Sequence, residues 1–532
     1  MYATIATTDT TVTTVTAALM LPDNLGYLFD APLRLAPSSP ALIQGDRVLS
    51  YQELDARADW VAGGLRGLGV EPGDRVALLF SNDWRFAEVL FGTMRLGAVA
   101  VPLNIRMGDE ALAYVLSDAE AQVLIANEEQ AGRAERLTAS AAGIRHLVAP
   151  HAAGPGRRDY DAWLAAAPPG FPRASSRPED VCLMPYTSGS TGKPKGVLLT
   201  HTGQVWNADV IRKAIQADDS ERALVAVPLY HKNAMIGAVK PFLLAGGAVV
   251  VLPGFDPLEV IRAIERYRVT YLTGVPAMYR RILGEREALA RHDVSSLRFA
   301  LCGSAEVPED LLEEFHRVFG GEMAESYGLT EGGPVPLVNT RWGLKRRGSC
   351  GRAFPGCDVK LVGHDGSTEV PVGEVGELVT RNPGLAAGYW KLPQVTARRF
   401  RDGWLSTGDL LRRDADGFYY FVGRQDDQMN VGGENVYPKE VEDLLLRHPA
   451  VQEVCVVSVP HSEKGEVPWA FVVHRQDLAV SEEELRQFFL KHGAPYAHPR
   501  RIVILDALPL GGTGKVDREG LKARARALAE AG

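Results

Sequence analysis

The chain has 532 residues, and its 66 Asp and Glu outnumber its 58 Lys and Arg to give a formal net charge of −8 at pH 7. This length exceeds what one ordinary hydrophobic core can organise, so we expect at least two domains. The acidic balance disfavours nonspecific binding to nucleic acid, and the five scattered cysteines show neither a metal-binding spacing nor the density of a secreted disulfide protein.

The amino-terminal segment has no recognisable targeting signal. Its first basic residue is Arg34, whereas a signal or transit peptide needs an early positive charge. The Thr-rich residues 1–20 are predicted to be a disordered tail. The longest uncharged apolar run, residues 241–255, is too short to span a bilayer and is broken by glycine and proline. We therefore expect a cytoplasmic protein with no membrane span and no nucleic-acid partner.

The first part of the chain alternates predicted strands with predicted helices. Ser50 and Glu53 form a capping box that opens a helix, and apolar residues then recur at helical spacing up to Leu65. Further strands are predicted at 75–80, 98–102, 121–126 and 181–184, with helices at 84–96, 109–116 and from about 200. This alternation is typical of a parallel, layered α/β sheet. Residues 150–178, rich in Ala, Gly, Pro and Arg, are predicted to be a surface connection.

The alternation resumes after residue 200 and then gives way to a β-rich region. Strands are predicted at 224–228, 248–252, 269–272 and 297–301, and helices at 257–267, 276–283 and 308–319. Short strands at 359–362, 376–380 and 418–422 predict a β-rich layer that closes the large domain. Beyond a polar pause, helices at 437–446 and 481–491 combine with strands at 451–459, 469–473 and 502–505. The last hundred or so residues are therefore predicted to form a small separate α+β domain.

The predicted fold class is α/β, with a large amino-terminal domain of layered α/β sheets, a β-rich subdomain, and a small mobile α+β carboxy-terminal domain. The predicted boundaries are a tail at 1–20, the large domain at 21–425 and the small domain at 426–532. Ligands of such sheets lie beyond the carboxyl ends of the strands. Three candidate groups fall at those ends, at residues 228–231, 303–305 and 327–331.

One loop carries an unusual concentration of anion-binding residues. It is rich in hydroxyls, glycines and lysines, namely Thr187, Ser188, Gly189, Ser190, Thr191, Gly192, Lys193 and Lys195. Glycine lets backbone N–H groups approach an anion closely, and lysine supplies compact positive charge. The loop departs from the Walker A pattern because Pro194 follows Lys193. It predicts a polyphosphate clamp, with a plain Ser/Gly surface linker as the alternative.

Four further groups suggest chemistry, and each has a structural alternative. Tyr327 could stack on a purine while Glu331 holds Mg²⁺, although the same residues could form a helix-capping turn. Asp409 could accept ribose hydroxyls or form an Asx turn. Lys515, on a glycine-rich loop, could be delivered by domain movement or remain solvated. His231 could be a base, a pocket gate or a structural residue.

The order of these groups resembles that of the adenylate-forming superfamily, which includes acyl-CoA synthetases, peptide-synthetase adenylation domains and beetle luciferases. The run comprises the loop at 186–197, Pro-Leu-Tyr-His, Gly-Ser-Ala, Tyr-Gly-Leu-Thr-Glu, Ser-Thr-Gly-Asp, Gly-Arg-Gln-Asp, Gly-Gly-Glu-Asn-Val-Tyr-Pro and Thr-Gly-Lys. It extends from about residue 30 to 525, so the resemblance covers nearly the whole chain.

This resemblance implies an ATP site. The loop from Thr187 to Lys195 would hold the β- and γ-phosphates, and Tyr327 would lie along the adenine. The other implied contacts are Gly303, Ser304 and Ala305 in the adenine pocket, Thr330 at the α-phosphate and substrate carboxylate, Glu331 at Mg²⁺, and Asp409 and Arg424 at the ribose.

The resemblance also implies a two-step reaction with a moving lid. A carboxylate attacks the α-phosphorus of ATP, and a thiol such as that of coenzyme A then displaces AMP from the acyl adenylate. Lys515 would bridge the substrate carboxylate and the α-phosphate in the first step. Asp426 would be the hinge, and the turn with Gly432, Gly433 and Glu434 would swing in for the second step. Two steps at one site need different lids, which is a physical reason for a hinged domain.

The sequence favours one member of this superfamily over two others. We expect an AMP-forming acid–CoA ligase; the alternatives are an adenylation enzyme that loads an acid or amino acid onto a carrier protein, and a relative that only binds nucleotide. An amino-acid enzyme usually has an Asp after the aromatic residue of its Pro-Leu motif, and here His231 follows Tyr230. The expected substrate is a medium-chain, alicyclic or aromatic acid, because small residues follow His231. The oligomeric state is not specified, although a homodimer is one expectation.

Two positions depart from the pattern. Lys232 follows His231, and we expect it to meet a polar or anionic group on the substrate or on CoA, with orientation towards solvent as the alternative. Residues 495–499 differ from the commoner Tyr-Lys-x-Pro form, so CoA contacts there are not implied.

Overall fold

A computed structural model of the chain describes residues 21–173, 176–187, 193–303, 307–333, 336–341, 343–363, 365–475, 478–509 and 516–531. Within these residues, two nine-stranded sheets and a five-stranded sheet precede residue 425, and a second five-stranded sheet follows it. The predicted fold class is confirmed: layered α/β sheets and a β-rich part are followed by a small α+β part. The predicted tail at 1–20 lies outside the described residues.

The first large sheet is parallel in its centre and antiparallel at both edges. Its strands, in order across the sheet, are Arg352–Ala353, Leu337–Val338, Glu322–Tyr327, Phe299–Gly303, Tyr271–Gly274, Arg222–Val225, Ala248–Val251, Pro40–Gln44 and Arg47–Ser50. Three of these strands, Ala248–Val251, Tyr271–Gly274 and Phe299–Gly303, are fully buried and mainly apolar, as expected where helices cover both faces of a parallel sheet.

The second large sheet is parallel through most of its strands and ends in an antiparallel pair next to the Ser/Gly-rich loop. Its strands, in order, are Gly388–Tyr389, Lys195–Thr200, Val181–Leu183, Val99–Pro102, Arg75–Leu79, Ala121–Ala126, His146–Ala149 and Arg157–Asp159, with Tyr186–Thr187 also paired to Lys195–Thr200.

The two smaller sheets are mainly antiparallel. The first contains Asp358–Val362, Val375–Arg381, Trp404–Arg413 and Phe400–Arg401, with Tyr419–Arg424 paired to Trp404–Arg413. The second contains Glu434–Val436, Met429–Val431, Gly465–His474 and Val451–His461, with Arg501–Leu505 added in parallel to Gly465–His474. A separate cluster of buried apolar residues between Met429 and Ala525 gives this last part its own core.

The helices largely follow the sequence pattern. The α-helices are Asp30–Leu35, Tyr51–Gly67, Arg85–Arg95, Asp109–Asp118, Ala131–Ser140, Tyr160–Ala165, His201–Ile215, Lys232–Ala234, Lys240–Ala245, Pro257–Tyr267, Pro276–Gly284, Arg286–Arg291, Glu309–Phe319, Pro393–Arg399, Pro438–Leu446, Glu482–His492 and Arg518–Ala531. The 3₁₀ turns are Leu25–Tyr27, Glu128–Gln130, Thr330–Gly332, Gln425–Asp427 and Pro495–Ala497, and Met235–Val239 is a π turn. The capping box at Ser50 and Glu53 is present in both directions.

One predicted connection is wrong. Residues 150–178 are not a plain surface segment, because Arg157–Asp159 adds a strand to the second sheet and Tyr160–Ala165 forms a helix. Asp159 caps that helix by accepting a hydrogen bond from the Ala162 amide at 3.0 Å. Tyr160 and Trp163 are buried, and the Tyr160 hydroxyl donates to Glu88 Oε1 at 2.5 Å. Composition misled the sequence analysis because two aromatic side chains anchor a stretch that is otherwise small or polar.

A buried lysine lies among the helices of the large domain. Lys240 is 1% exposed, and its ammonium donates to Gln204 Oε1 at 2.7 Å and to Asn207 Oδ1 at 3.3 Å. Burial lowers the pKa of Lys240 from 10.5 to about 7, because an apolar surrounding disfavours the charged form.

We expect Lys240 to make stability depend on pH in an alkaline window. Between about pH 7 and pH 10.5 the unfolded chain holds this proton more tightly than the folded chain. The free energy of unfolding therefore rises with pH there, by at most about 1.4 kcal/mol per pH unit from this group. Urea unfolding at pH 7, 8 and 9 should show wild type gaining stability relative to Lys240→Met. A difference that stays constant across the window would contradict the shift.

Among the described residues, no helix combines the length and the apolar character needed to cross a membrane.

Candidate functional site

The carboxyl ends of the parallel strands in the first sheet meet at one edge. Strand Phe299–Gly303 ends at Gly303 and strand Glu322–Tyr327 ends at Tyr327. The two strands are in register, with Gly303 opposite Ser326, so Gly303 and Tyr327 are near neighbours at this edge. A Cβ on Gly303 would lie 3.1 Å from Ser326 Oγ, which leaves little room for a side chain there. Ser304 and Ala305 lie outside the described residues.

Tyr327 joins a partly buried polar cluster with Asp409 and Arg424. The Tyr327 hydroxyl donates to Asp409 Oδ2 at 2.5 Å, and Arg424 Nη1 lies 3.2 Å from Asp409 Oδ1. Asp409 and Arg424 face each other across two antiparallel strands, which fixes their pairing. Asp409 is 6% exposed, and its amide donates to Thr407 Oγ1 at 3.1 Å. The cluster brings an aromatic ring, a carboxylate acceptor and a cation to one place.

Burial and neighbouring charges shift the pKa values of Asp409 and Tyr327. Burial raises the pKa of Asp409, and the Arg424 guanidinium opposes that rise. Burial raises the pKa of Tyr327 far above its ordinary value, and the Asp409 charge raises it further. Tyr327 therefore remains a hydroxyl donor at every physiological pH. An acceptor carboxylate next to a donor hydroxyl suits the recognition of sugar hydroxyls.

Hydrogen bonds from residues 382–389 hold the turn that carries Thr330 and Glu331. The Tyr389 hydroxyl donates to Glu331 Oε1 at 3.0 Å, and the Ala386 amide donates to the Glu331 carbonyl at 3.0 Å. Asn382 Nδ2 donates to the Gly332 carbonyl at 2.9 Å. Three residues of one neighbouring segment therefore hold this turn in place.

A close backbone approach explains the glycine after this turn. Gly333 has φ +80°, and a Cβ there would lie 2.3 Å from the Gly384 carbonyl carbon. Only glycine fits that conformation and that spacing. Asn382 and Tyr389 were not predicted from the sequence, although the Asn-Pro-Gly turn signal at 382–384 and the Gly-Tyr-Trp run at 388–390 mark this segment.

The Ser/Gly-rich loop is bounded by an antiparallel hairpin. Lys195 pairs with Thr187, and strand Lys195–Thr200 pairs on its other side with Gly388–Tyr389. The Lys193 ammonium lies 5.2 Å from the centroid of the Tyr114 ring. Residues Ser188, Gly189, Ser190, Thr191 and Gly192 lie outside the described residues. The base of the loop is thus tied through Gly388–Tyr389 to the Glu331 turn.

His231 and Lys232 begin a helix that faces the same edge. His231 Nδ1 accepts a hydrogen bond from the Asn233 amide at 3.2 Å, which is a capping contact. The Lys232 ammonium donates to the Gly328 carbonyl at 2.7 Å, and its charge acts to lower the pKa of Asp409. Lys232 therefore reaches inward to the loop between Tyr327 and Thr330, rather than out to solvent.

The helix that follows Lys232 packs tightly on the sheet. Thr273 Oγ1 donates to Asn233 Oδ1 at 2.8 Å. A Cβ on Gly237 would lie 2.7 Å from Thr273 Oγ1, so glycine permits the close approach. The π turn Met235–Val239 occurs at this contact, and such turns are frequent at functional sites.

The predicted hinge and hairpin have well-defined local structure. Asp426 lies in the turn Gln425–Asp427, with Oδ2 3.6 Å from Arg424 Nη2. Gly432 and Gly433 form the turn of a hairpin at φ +64° and +97°, and Glu434 beside them is exposed. Lys515 lies outside the described residues.

The carboxylates of the described residues are spread out rather than clustered around a preformed metal site. No group of three or more His, Cys, Asp and Glu among them could hold a metal ion. Mg²⁺ is commonly bound by one or two carboxylates together with substrate phosphates, so the Glu331 carboxylate fits that mode. The bond from Tyr389 uses one of its roughly four acceptor positions.

A cavity of about 830 Å³ lies away from this site. Its lining includes Arg298 and Glu221, which precede two strands of the first sheet and so mark the opposite edge of the sheet. Arg298 and Arg341 pair with Glu221 at 3.2 and 2.8 Å. Its positive charges are therefore partly neutralised, and the cavity has no part in the site described above.

Two family models match the chain. The AMP-binding enzyme model covers residues 29–390, and the AMP-binding enzyme C-terminal domain model covers residues 440–515. The chain belongs to the AMP-binding enzyme family. The family prediction from the sequence is therefore confirmed.

Relatives in this family match almost end to end. Feruloyl-CoA synthase from Amycolatopsis sp is 41% identical over 490 residues, covering 91% of this chain and 95% of that protein. Indoleacetate–CoA ligase from Aromatoleum aromaticum is 34% identical over 502 residues, covering 94% and 97%. The crystal structure of the anthranilate CoA ligase AuaEII in complex with anthranoyl-AMP matches with a TM-score of 0.89 and 29% identity, covering 96% and 98%.

Proposed function

We propose that this enzyme is an AMP-forming acid–CoA ligase. It joins a carboxylic acid to ATP with release of pyrophosphate, then transfers the acyl group to coenzyme A with release of AMP. The observation that carries the proposal is the convergence of the Tyr327–Asp409–Arg424 cluster and the Glu331 turn at one sheet edge. The relatives named above are an acid–CoA synthase and two acid–CoA ligases, which supports the same reaction.

The nucleotide is held by groups with separate tasks. The Tyr327 ring lies along the adenine beside Gly303, and Asp409 accepts hydrogen bonds from the ribose hydroxyls while Arg424 balances its charge. The loop from Thr187 to Lys195 holds the terminal phosphates. Mg²⁺, when bound beside Glu331, neutralises phosphate charge. Support comes from the donor–acceptor arrangement of the cluster and from the hairpin that brings Lys195 to the same edge.

The chemistry needs little more than positioning and charge. The carboxylate oxygen attacks the α-phosphorus, and the bond to pyrophosphate breaks to give the acyl adenylate. Thr330 and Lys515 hold the reacting oxygens in line. The sulfur of CoA then attacks the acyl carbon, AMP leaves, and the thiol proton is released. Because His231 Nδ1 is a capping acceptor, we favour a gating role for His231 over a role as general base.

The small domain acts as the lid. We place the boundary at Asp426, between a large domain at 21–425 and a lid at 426–532. The separate core of the lid supports this division, as does the gap between the two matched family regions. In one orientation the lid delivers Lys515, and in the other it brings the hairpin with Gly432, Gly433 and Glu434 to the site.

The acid is proposed to be aromatic. Ferulate, indoleacetate and anthranilate, named in the three relatives, are all aromatic acids. Small residues Ala234, Gly237 and Ala238 follow Lys232, but Gly237 packs against Thr273 and both alanines are buried, so the relatives carry this proposal. A cytoplasmic location is supported by the five cysteines, none of which forms a disulfide among the described residues.

The test is pyrophosphate release from ATP and Mg²⁺ with a panel of acids, each with and without CoA. The panel contains ferulate, indoleacetate, anthranilate, octanoate, cyclohexanecarboxylate and phenylalanine. We expect turnover that needs both an aromatic acid and CoA. Turnover that prefers octanoate would overturn the substrate class alone. Pyrophosphate exchange that ignores CoA and prefers phenylalanine would favour an enzyme that loads a carrier protein.

Lys232 is expected to act on the nucleotide side of the site. Its ammonium contacts the Gly328 carbonyl and acts on Asp409, so Lys232→Met should raise the KM for ATP about 3- to 10-fold, the scale of one ordinary hydrogen bond. Lys232→Arg, which keeps the charge, should lie nearer wild type. Steady-state kinetics with mono- and dicarboxylic acids would check this. A changed preference between those acids with an unchanged KM for ATP would instead favour a contact between Lys232 and the acid substrate.

A further inference from the structure

One short segment contacts both the Glu331 turn and the strand that follows the phosphate loop. Residues 382–389 contact the Thr330–Gly332 turn through Asn382, Ala386 and Tyr389. The end of the same segment pairs with the strand that leaves the phosphate loop, with Tyr389 opposite Val197. The segment therefore fixes the Glu331 turn relative to the loop proposed to hold the ATP phosphates.

Tyr389 itself is held rigidly. It is 7% exposed, its amide donates to Thr396 Oγ1 at 2.9 Å, and its ring meets Phe400 edge-on at 6.1 Å between centroids. Gly388 before it has φ +139°, and a Cβ there would lie 2.5 Å from Thr396 Cγ2. Strand pairing, side-chain packing and a glycine-dependent backbone thus all define where the Tyr389 hydroxyl points.

We propose that Tyr389 is a positioning residue for the metal-binding carboxylate. Its hydroxyl donates to Glu331 Oε1 and holds the carboxylate in the orientation that presents its remaining lone pairs to the divalent cation of the ATP complex. The proposal rests on the function proposed above. Glu331 lies on a short turn and is only partly buried, so without a partner its side chain would sample several rotamers and lose that freedom on binding the cation. A rigid donor removes that loss from the metal-binding step.

Partners of this kind have a measurable effect elsewhere. Carboxylates that bind metals are usually held by hydrogen bonds of their own, and removing such a partner typically weakens metal affinity about 10- to 100-fold. A merely structural bond would instead lower stability and leave metal affinity unchanged. The two roles therefore separate when metal binding is measured directly, without relying on turnover.

The experiment is Mn²⁺ binding, followed by electron paramagnetic resonance, to the full chain with a non-hydrolysable α,β-methylene ATP analogue. Tyr389→Phe keeps the ring and removes only the hydroxyl. We expect its Mn²⁺ affinity to fall about 10-fold or more, while the affinity for the analogue without metal stays at the wild-type value. Equal Mn²⁺ affinity in wild type and Tyr389→Phe would overturn the proposal.

Tyr160→Phe is the matched control. Tyr160 is also buried and also donates to a glutamate, Glu88, but on the helix Tyr160–Ala165 at the far end of the second sheet. We expect it to lose stability with unchanged Mn²⁺ affinity. A fall equal to that of Tyr389→Phe would mean that lost stability, not positioning, weakens metal binding, and would overturn the proposal.

A double-mutant cycle with Glu331→Gln adds the decisive comparison. If Tyr389 acts through Glu331, Tyr389→Phe should cause no further loss of Mn²⁺ affinity in the Glu331→Gln background. An equal further loss would show that Tyr389 acts independently of Glu331, and the positioning role would fail. If wild type binds neither Mn²⁺ nor the analogue, the proposed function fails, which distinguishes that result from failure of the Tyr389 proposal alone.

Discussion

Asp409→Asn is expected to raise the KM for ATP about 10- to 100-fold, with a smaller change in the KM for the acid. The substituted amide keeps the shape of the carboxylate but loses its charge, and its NH₂ group would have to face either Arg424 or Tyr327. Asp409 accepts from Tyr327 at 2.5 Å and lies 3.2 Å from Arg424. A buried charged acceptor that is lost costs about 1–3 kcal/mol, or roughly 5- to 150-fold in affinity, which brackets the expected change.

Most of this loss of ATP affinity should come from the hydrogen bonds of Asp409 with Tyr327 and with the ribose, rather than from its ion pair with Arg424. Arg424 is 44% exposed, so solvent screens its attraction to Asp409. Steady-state kinetics with ATP varied at saturating acid and CoA would measure the change. Asp414→Asn is the matched control, because Asp414 accepts from the Tyr420 hydroxyl at 2.9 Å at the turn that joins the same two strands. An unchanged KM for ATP in Asp409→Asn would remove Asp409 from the nucleotide site.

Local sequence patterns predicted the elements that depend on local physics. The helix predicted at 257–267 is observed as Pro257–Tyr267, with Asp256 as its cap. The capping box at Ser50 was likewise visible because its two partners are three residues apart. The strand and helix within 150–178 were missed because their stability comes from distant partners, such as Glu88 for Tyr160. The composition of residues 150–178 alone does not predict such a distant partner.

In the site too, local motifs could be predicted from the sequence but long-range contacts could not. Its motifs could be located one by one, but their contacts join residues far apart in sequence: Tyr327 is 82 positions from Asp409, and Lys232 is 96 positions from Gly328. The Asn-Pro-Gly and Gly-Tyr-Trp runs near Tyr389 mark a turn but do not identify its partner; the importance of Tyr389 comes from Glu331, 58 positions away. The burial of Lys240 was hidden for a related reason, since its amide partners Gln204 and Asn207 lie on another helix.

The contacts of the Glu331 turn also suggest how one site serves two reactions. Tyr389, Asn382 and Ala386 precede the proposed boundary at Asp426 and form hydrogen bonds with the turn directly. The groups proposed to hold nucleotide and metal therefore need not move with the proposed lid. Only Lys515 and the hairpin at 432–434 are proposed to exchange places. A fixed nucleotide site with an exchangeable lid predicts that the two half-reactions can be separated by mutation.

Lys515→Gln is expected to make that separation. Adenylation should fall about 10²- to 10³-fold, the usual effect of removing one group that stabilises charge in the transition state. Thioester formation from chemically prepared acyl adenylate and CoA should stay within a few-fold of wild type, because the proposed second orientation of the lid does not use Lys515. Pyrophosphate release measures the first step, and AMP release from the prepared adenylate measures the second.

Lys491→Gln controls for the loss of a lysine from the lid, because Lys491 is exposed near the end of helix Glu482–His492. It should leave both steps near wild type. Equal losses in both half-reactions of Lys515→Gln would mean that Lys515 stabilises the lid rather than serving one step. The proposal that the lid presents a different face in each step would then fail. A selective loss of the first step would tie Lys515 to the attack on the α-phosphorus and assign the second step to the opposite face of the lid.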